Sequence, residues 1–367
     1  GQWSSEFQGV LMFAPAGSSV YASTGFSCSV TCGRVSFALG LHGACASYDT
    51  ACSASLVGNH SNMRALQRAE CNASVSAGVN MLLDPIMMRG NAIAGFTSVR
   101  GRSHTFDVRA DGYARGEAID AFACRLGDDG MGVEMLGSAV RQDGRSASLT
   151  APSGQAQQGV LGAAFMDAQR SVEQAAVLEA HGTGTALGDP IEAGAVSAVF
   201  LSPRVRSSQP LVLGSLKANA GHTEPGAGLA GALKLLVQLA GRSMPPNAQL
   251  RAVNPHVSHT MHGHTTCVLA AQPCAMPPRG EDGGVSSFGY SGTIAHAVLG
   301  HTASGGALMA AARLVYRRQM YTWRTAAHPL VHRQLGSTSG TTLSRVPTTG
   351  ALFSLVADHI VQGRVIL

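Results

Sequence analysis

Three chemically reactive side chains each follow an apolar segment that is typical of a β-strand. Cys52 follows small and β-branched residues, His181 follows the apolar run 175–180, and His222 comes soon after the strand-like residues 211–215. Strands that alternate with helical patterns predict a layered α/β fold. Because strand ends gather in one crevice of such a fold, we expect the three side chains to lie together.

The residues around Cys52 predict a strand, a sharp turn and then a helix, because apolar residues recur at three- and four-residue steps from Ala54 to Leu66. A thiol at a helix N-terminus lies near unpaired N–H groups and the positive end of the helix dipole. The sequence therefore predicts a favoured thiolate, with two amides placed to hold an oxyanion. A lone apolar-flanked cysteine is more often a buried structural thiol, so the argument depends on the two histidines.

The rest of the pattern supplies the other elements of this fold. It predicts strands over residues 8–12, 73–83, 117–141, 175–180, 211–215 and 285–299, and helices over residues 32–41, 155–170, 189–201 and 226–240. At the start of the third helix, Asp189 is expected to cap, Pro190 to take the first position and Glu192 to complete a capping box. Lys217, five residues before His222, is expected to place charge near that imidazole.

Composition excludes several classes of function. The chain has 45% apolar and 13% charged residues, which favours a large core over disorder. Its net charge of +5 comes without a basic cluster that contains aromatic residues, so we expect no nucleic-acid partner. The eight cysteines form no C-x-x-C pair, which predicts free thiols in a reducing compartment and no metal site. The apolar run 227–240 is too short to span a bilayer and contains Lys234, so we expect no membrane segment.

Nine motifs, in this order, resemble those of the ketosynthase (β-ketoacyl synthase) domain of type I polyketide synthases or related fatty acid synthases. They are Asp49-Thr50-Ala51-Cys52-Ser53, Phe106-Asp107, Ala110-Asp111-Gly112-Tyr113 with Arg115-Gly116-Glu117, Gln142-Asp143-Gly144-Arg145, Glu179 to Thr185, Gly188 to Glu192, Lys217 to His222, Asn254-Pro255-His256, and Ser286 to Thr293. The resemblance runs from about residue 9 to residue 299. It implies a thiolase-like αβαβα fold over residues 1–300 that lacks its N-terminal part.

The resemblance also implies a decarboxylative Claisen condensation and a role for each matching residue. Cys52 would carry the acyl chain, while His181 and His222 would hold the malonyl thioester and promote loss of CO₂. Backbone N–H groups of Cys52 and Tyr290 would form the oxyanion hole. The supporting residues would be Lys217, Glu192, Asp189, Phe288 and Tyr290, which also stands at the position of a gating aromatic. Thr183 and Thr185 would bind the phosphopantetheine arm.

The implied partners are an acyl carrier protein, malonyl and acyl thioesters, and a second copy of the chain in a homodimer. No cofactor is expected on this domain, because the phosphopantetheine belongs to the carrier protein. The expected location is the cytoplasm, with a plastid not excluded. One alternative is a non-catalytic fragment that binds carrier protein or acts as a scaffold. Another is a degradative thiolase or a condensing enzyme that works without decarboxylation, although such enzymes typically use a second cysteine in a motif that this chain lacks.

The last part of the chain has a different character. Residues 301–325 are expected to form a linker, and residues 326–367 resemble the start of a polyketide synthase dehydratase, a partial hot-dog (α+β) segment. The resemblance depends on Trp323, His328-Pro329-Leu330 and Asp358 to Val365. It implies that His359, four residues before Gly363, is the base of that second activity. The alternative is a linker in which this histidine has no catalytic role.

Overall fold

The computed structural model describes residues 1–3, 6–127, 133–202, 210–261, 267–277 and 282–301, together with the backbone of four short strands beyond residue 332. The chain divides into two compact units, Gly1–Ala311 and Ala312–Leu367. The expected boundaries at residues 300 and 325 stay predictions.

The larger unit alternates helices and strands as the sequence predicts. Its helices are α1 (Glu6–Phe13), α2 (Ala22–Phe26), α3 (Cys28–Leu39), α4 (Ala54–Gln67), α5 (Pro85–Ile93), α6 (Gly154–Asp167), α7 (Gly188–Val196), α8 (Lys217–Ala220), α9 (Ala227–Gly241) and α10 (Pro255–Thr260). Its strands are β1 (Ala73–Asn80), β2 (Ala118–Arg125), β3 (Val133–Gln142), β4 (Ala175–Glu179), β5 (Leu211–Gly214), β6 (Ser243–Met244), β7 (Cys267–Leu269), β8 (Cys274–Ala275), β9 (Asp282–Phe288) and β10 (Thr293–His301).

Six of these strands form the central sheet, in the order β3-β10-β9-β4-β5-β7. The pairs β3–β10 and β10–β9 are antiparallel, whereas β9, β4, β5 and β7 run parallel. Every residue of β4 and β5 is buried, as expected for parallel strands that are covered on both faces. The parallel arrangement brings the carboxyl ends of β4, β5 and β9 to one edge of the sheet.

Helices cover both faces of this sheet. On one face Leu161 and Phe165 of α6 and Val196 of α7 pack against Leu178 and Leu213. On the other face, α4 and α9 pack against the alternate strand residues; this cluster contains Leu56, Leu235, Leu239, Val177, Val212 and Val285. Neighbouring residues of one strand therefore enter different cores, which follows from the two-residue period of a strand.

A second, two-stranded sheet lies beyond α4 and α9. It pairs β1 with β2 in antiparallel register, from Ala73 opposite Arg125 to Asn80 opposite Ala118. Ser76 of β1 bonds to the Asn59 amide oxygen of α4 at 2.8 Å. The described residues thus form four layers in the order helix, sheet, helix, sheet, which agrees with the predicted α/β class. The full αβαβα arrangement stays a prediction.

Two predictions of secondary structure are wrong. Residues 8–12 belong to helix α1 and not to a strand. Glu6, in the first turn of α1, accepts hydrogen bonds from the Leu83 and Asp84 amides and pairs with Arg115, so these contacts anchor a helix. The segment before Cys52 also forms no strand, apart from an isolated bridge between Thr50 and Cys52.

The smaller unit contains two antiparallel hairpins in its described part. One pairs β11 (Arg333–Thr338) with β12 (Thr341–Arg345), and the other pairs β13 (Ile360–Val361) with β14 (Arg364–Val365). His359 lies outside the described residues. Over the part of the chain that the structure describes, none of the helices has the length and apolar character needed to cross a membrane.

Candidate active site

Cys52 lies in a tight turn just before α4. Ala51 has a φ of 53°, a left-handed conformation that is uncommon for a residue with a side chain. This turn directs the Cys52 side chain into the protein, where the residue is 5% exposed. Its carbonyl oxygen accepts a hydrogen bond of 2.6 Å from the Ser287 hydroxyl, which ties the turn to the end of β9.

The Cys52 sulfur contacts His222, with 3.0 Å between Sγ and Nε2. His222 is fully buried and follows Gly221, whose φ of 80° suits a glycine. The backbone of His222 is held on both sides: its N–H donates to the Ala114 carbonyl at 2.7 Å, and its carbonyl accepts from the Gly116 N–H at 2.8 Å. The histidine predicted from its place after a strand therefore does meet the predicted cysteine.

His181 completes the group. Its ring lies edge-on to that of His222, with 5.6 Å between the ring centroids, and it packs against the Phe288 ring at 5.4 Å. The three elements that carry Cys52, His181 and His222 thus converge where β4, β5 and β9 end, as the sequence predicts.

Both imidazoles are neutral and share the same tautomer. The Nδ1 atom of His181 accepts from the Phe288 amide, and the Nδ1 atom of His222 accepts from the Glu224 amide, each at 3.2 Å. Nδ1 is therefore unprotonated and Nε2 carries the proton. Burial lowers the pKa of both histidines well below the usual range, and the charge of Lys217 lowers both further. The site thus offers two N–H donors without positive charge.

The predicted preference of Cys52 for the thiolate is wrong for the ligand-free site. Burial raises the pKa of the Cys52 thiol to about 12, and the charge of Glu224 raises it further. Lys217 and the backbone amides of Tyr290 and Cys52 act in the opposite direction. These two amides are the ones expected to hold an oxyanion, and both are directed at the sulfur. The helix N-terminus does not compensate for the loss of water around the thiol.

The two acidic residues after Gly188 hold loops and do not cap α7. The Glu192 carboxylate accepts from the His181 and Gly182 amides at 2.7 and 2.8 Å. The Asp189 carboxylate accepts from the Phe106 and Gly184 amides at 2.7 and 3.0 Å. The predicted capping box is therefore wrong, because these side chains point across to other loops. The cap residue of α7 is Leu187, and the Thr185 hydroxyl, two residues before it, accepts from the Gly188 amide at 3.2 Å.

The other predicted residues surround the three reactive groups at different depths. Lys217 is 5% exposed and its charge acts on Cys52 and on both histidines. Burial lowers the pKa of this amine. Thr183 is buried and lies 3.2 Å from Thr185, hydroxyl to hydroxyl. Tyr290 is 44% exposed, and its ring contacts those of Trp3 and Phe96 at 5.8 Å each, as suits a side chain at an entrance.

Sequence reasoning missed three contributors to the site. They are Ser287, which holds the Cys52 carbonyl, Tyr113, whose ring lies edge-on to His222 at 4.9 Å, and the buried pair of Arg115 with Glu224. The available signal was weak: Glu224 stands two residues after His222, and Tyr113 and Arg115 belong to one of the recognised motifs. Among the described residues, no group of three or more His, Cys, Asp or Glu side chains is placed to hold a metal ion.

Two family models match the chain in succession. Residues 3–122 match the N-terminal domain of β-ketoacyl synthase, and residues 133–251 match its C-terminal domain. Among curated proteins, a component of the phenolphthiocerol/phthiocerol polyketide synthase of Mycobacterium tuberculosis is 40% identical over 287 residues, covering 76% of this chain and 15% of that protein. The highly reducing polyketide synthase frbB of Dothideomycetidae sp. is 37% identical over 306 residues, covering 82% of this chain and 11% of that protein.

Solved structures agree with the family models. The ketosynthase from module 6 of the bacillaene synthase of Bacillus subtilis 168 superposes with a TM-score of 0.73 at 30% identity, covering 82% of this chain and 53% of that one. The oxazolomycin ketosynthase domain OzmH KS7 of Streptomyces albus JA3453 gives a TM-score of 0.71 at 30% identity, covering 76% of this chain and 50% of that one. The chain thus spans about half the length of these structures and a much smaller share of the curated relatives. Matched by both halves of the family model and by its motifs, this chain belongs to the β-ketoacyl synthase family.

Proposed function

We propose that this chain carries a condensing site that extends an acyl group by decarboxylative Claisen condensation with a malonyl-type unit, in polyketide or fatty acid synthesis. The observation that carries the proposal is the buried contact of the Cys52 sulfur with His222, with His181 edge-on to the same ring. The similarity to polyketide synthases favours polyketide synthesis.

In the first half-reaction Cys52 takes the acyl group. The sulfur attacks the carbonyl carbon of an acyl thioester, and the oxyanion accepts hydrogen bonds from the Cys52 and Tyr290 amides. Collapse of this intermediate breaks the bond between the acyl carbon and the sulfur of the donor thioester. The Cys52 proton leaves with the released thiol, so the acyl group remains on Cys52 as a thioester.

In the second half-reaction the two histidines act as hydrogen-bond donors. Their Nε2–H groups hold the thioester carbonyl oxygen of the malonyl unit. Loss of CO₂ leaves an enolate whose negative oxygen these donors stabilise. The enolate carbon attacks the Cys52 thioester, and the carbon–sulfur bond breaks to release the β-ketoacyl product and the Cys52 thiolate, which takes a proton from solvent to restore the thiol. Burial of the site keeps water away from the enolate and the thioester.

The expected partners follow from this chemistry. We propose that an acyl carrier protein delivers both thioesters on its phosphopantetheine arm, with Thr183 and Thr185 as hydrogen-bonding groups for that arm. The proposal needs no cofactor or metal on this chain. A homodimer and a cytoplasmic location are further parts of the proposal. For residues 326–367 we propose the start of a dehydratase; its test is whether a chain that continues beyond residue 367 dehydrates a β-hydroxyacyl thioester and loses that activity with His359→Ala.

Mass spectrometry after incubation with an acyl thioester tests the condensing function. We expect acyl label on the Cys52 peptide, no label in Cys52→Ala, and normal label without condensation product in His222→Ala. The last variant separates loading from condensation because the imidazole N–H is needed for the enolate. Label on another cysteine, or no label on any, would favour a fragment that binds carrier protein or serves as a scaffold.

A further inference from the structure

A cluster of three buried charges lies behind the catalytic histidine. Arg115 donates to Glu224 through Nε at 2.7 Å and through Nη2 at 2.8 Å, and to Glu6 at 2.6 Å. The side chains of Glu224, Arg115 and Glu6 are 0%, 2% and 9% exposed. One cation between two carboxylates leaves one net negative charge in the interior. Such a charge is costly to bury unless it is paired and hydrogen-bonded, so the cluster calls for a function.

Both oxygens of the Glu224 carboxylate accept hydrogen bonds. Asn80 donates to its Oε2 at 3.1 Å, and Asn91 lies within 3.5 Å of its Oε1. Together with the bidentate Arg115 contact, these bonds hold the carboxyl group in one fixed orientation. The two carboxylates raise the pKa of Arg115 although its burial opposes this, so the guanidinium stays charged.

The cluster is connected directly to the reacting atoms. The Glu224 amide donates to Nδ1 of His222, whose Nε2 contacts the Cys52 sulfur. Arg115 forms a β-bridge with His222, and its two neighbours in the chain bind the His222 backbone. The segment around Arg115 therefore holds the His222 backbone, and the Glu224 amide holds its imidazole ring.

The main groups that act electrostatically on the Cys52 sulfur come from several elements of the fold. They are Lys217, Glu224, Tyr113, Tyr290 and, through direct contact, His222. Glu224 is the carboxylate of this set and Lys217 its cation. Glu6 shares Arg115 with Glu224, and its other hydrogen-bond partners are the Leu83 and Asp84 amides.

We propose that Glu224, held by Arg115, is a positioning residue that aligns His222 against the Cys52 sulfur and places a buried negative charge behind these reacting groups. This inference rests on the proposed condensing function. A buried negative charge disfavours a second one nearby, so the resting site holds a thiol that is protected from unproductive alkylation and oxidation.

The pH dependence of Cys52 alkylation tests this inference. Iodoacetamide labelling of the full chain is followed on the Cys52 peptide by mass spectrometry across the alkaline range. We expect Glu224→Gln, which has the same shape without the charge, to move the labelling midpoint to lower pH and to label several-fold faster than wild type at a fixed pH. Glu6→Gln, the matched loss of a carboxylate from the other side of Arg115, leaves the midpoint unchanged.

Equal shifts in these two variants, or none in Glu224→Gln, overturn the inference. If Glu224→Gln does not fold, Arg115→Gln provides a second test. Removal of the Arg115 cation should leave the midpoint of Cys52 labelling at or above its wild-type pH. A shift of that midpoint to lower pH would contradict the inference. Thermal melting checks each variant. Labelling reports on the thiol alone, so a wild-type chain that labels as expected but forms no condensation product counts against the proposed function and not against Glu224.

Discussion

At the scale of single residues, backbone amides do most of the positioning in this site. Amides of Phe288 and Glu224 fix the tautomers of the two histidines, and amides of Cys52 and Tyr290 point at the sulfur. Amides do not titrate, so the arrangement of donors is the same at every pH at which the fold is intact. The amides keep Nδ1 of each histidine unprotonated, so Nε2 carries the proton and can donate it in a hydrogen bond. The imidazoles therefore act as donors although burial and the nearby Lys217 lower their pKa and keep them neutral.

Residue types and spacing in the sequence were sufficient to predict which side chains meet, but not their protonation. Cys52, His181 and His222 were recognisable because each ends a strand-like run, yet the thiolate prediction failed because burial opposes ionisation of Cys52. The depth of a side chain depends on segments that are remote in sequence. Ser287 and Arg115 were missed for the same reason: their site contacts join positions 235 and 109 residues apart.

Asp120 allows a residue-scale prediction about stability and pH. This carboxyl on β2 lies against Gly78 and Gly226, and burial raises its pKa to about 7. In the unfolded chain its pKa is about 3.9, so the folded form binds the proton more tightly. The contribution of Asp120 to the free energy of unfolding is therefore greatest below about pH 4, where the group is protonated in both states. This contribution is lost as the pH rises through about 7, because the buried carboxyl group then has to ionise.

We therefore expect Asp120→Asn to melt at a higher temperature than wild type at about pH 8, with the two curves converging toward about pH 4. Thermal unfolding followed by circular dichroism over this range is the measurement. Glu70→Gln, at an exposed carboxylate, serves as the control and keeps the wild-type slope. A pH-independent difference between Asp120→Asn and wild type would show that burial of the charge is not the cause.

At the scale of elements, the site depends on the close approach of α4 and α9, which begin just after Cys52 and His222. Leu229 at the start of α9 donates its amide to the Ser55 hydroxyl of α4 at 3.2 Å. Next to it, a Cβ added at Gly228 would lie 2.6 Å from the Leu56 Cβ and 3.0 Å from the Leu56 nitrogen. A glycine is needed here because the two helices meet through backbone.

Gly228→Ala should therefore separate the two helices. We expect the free energy of unfolding to fall by about 1–3 kcal/mol, as is usual for an overpacked contact. Gly162→Ala in α6, where nothing lies within 4 Å of the added carbon, is the matched control and should raise it by about 0.5–1 kcal/mol. Urea unfolding of both variants decides this. A neutral or stabilising Gly228→Ala would mean that the α4–α9 contact is looser than described.

The elements that sequence patterns predicted well are those in which one local preference extends over many residues. The helix expected over residues 226–240 is observed as Ala227–Gly241, and the strand–turn–strand expected over residues 285–299 is observed as β9 and β10. The failures lie at residues 8–12 and before Cys52. Helix α1 is anchored by the ion pair of Glu6 with Arg115 and by hydrogen bonds from the Leu83 and Asp84 amides to Glu6. These partners are remote in sequence, so a short-range pattern cannot predict them.

At the scale of the whole molecule, apolar side chains are exposed along α1, α2 and α3 and in the segments that follow these helices. Phe13, Val20 and Phe37 are 90%, 86% and 91% exposed. Large apolar side chains grouped on one part of a surface are typical of a protein–protein interface. Since a second copy is the partner expected from the family resemblance, these three helices are the surface on which the proposed homodimer would form.

A charge placed on this surface tests the homodimer. We expect the wild-type chain to show twice its monomer mass by light scattering after size-exclusion chromatography, and Phe37→Asp to show the monomer mass. Leu149→Asp is the matched control, because Leu149 is 90% exposed but lies outside the three helices, so the same charge there should leave the dimer intact. A monomeric wild-type chain, or a loss of the dimer in Leu149→Asp, would mean that the exposed side chains of α1 to α3 have another partner. Because a negative charge has to be desolvated when it enters an apolar contact, the effect of Phe37→Asp should persist at high salt, where screened surface charges lose theirs.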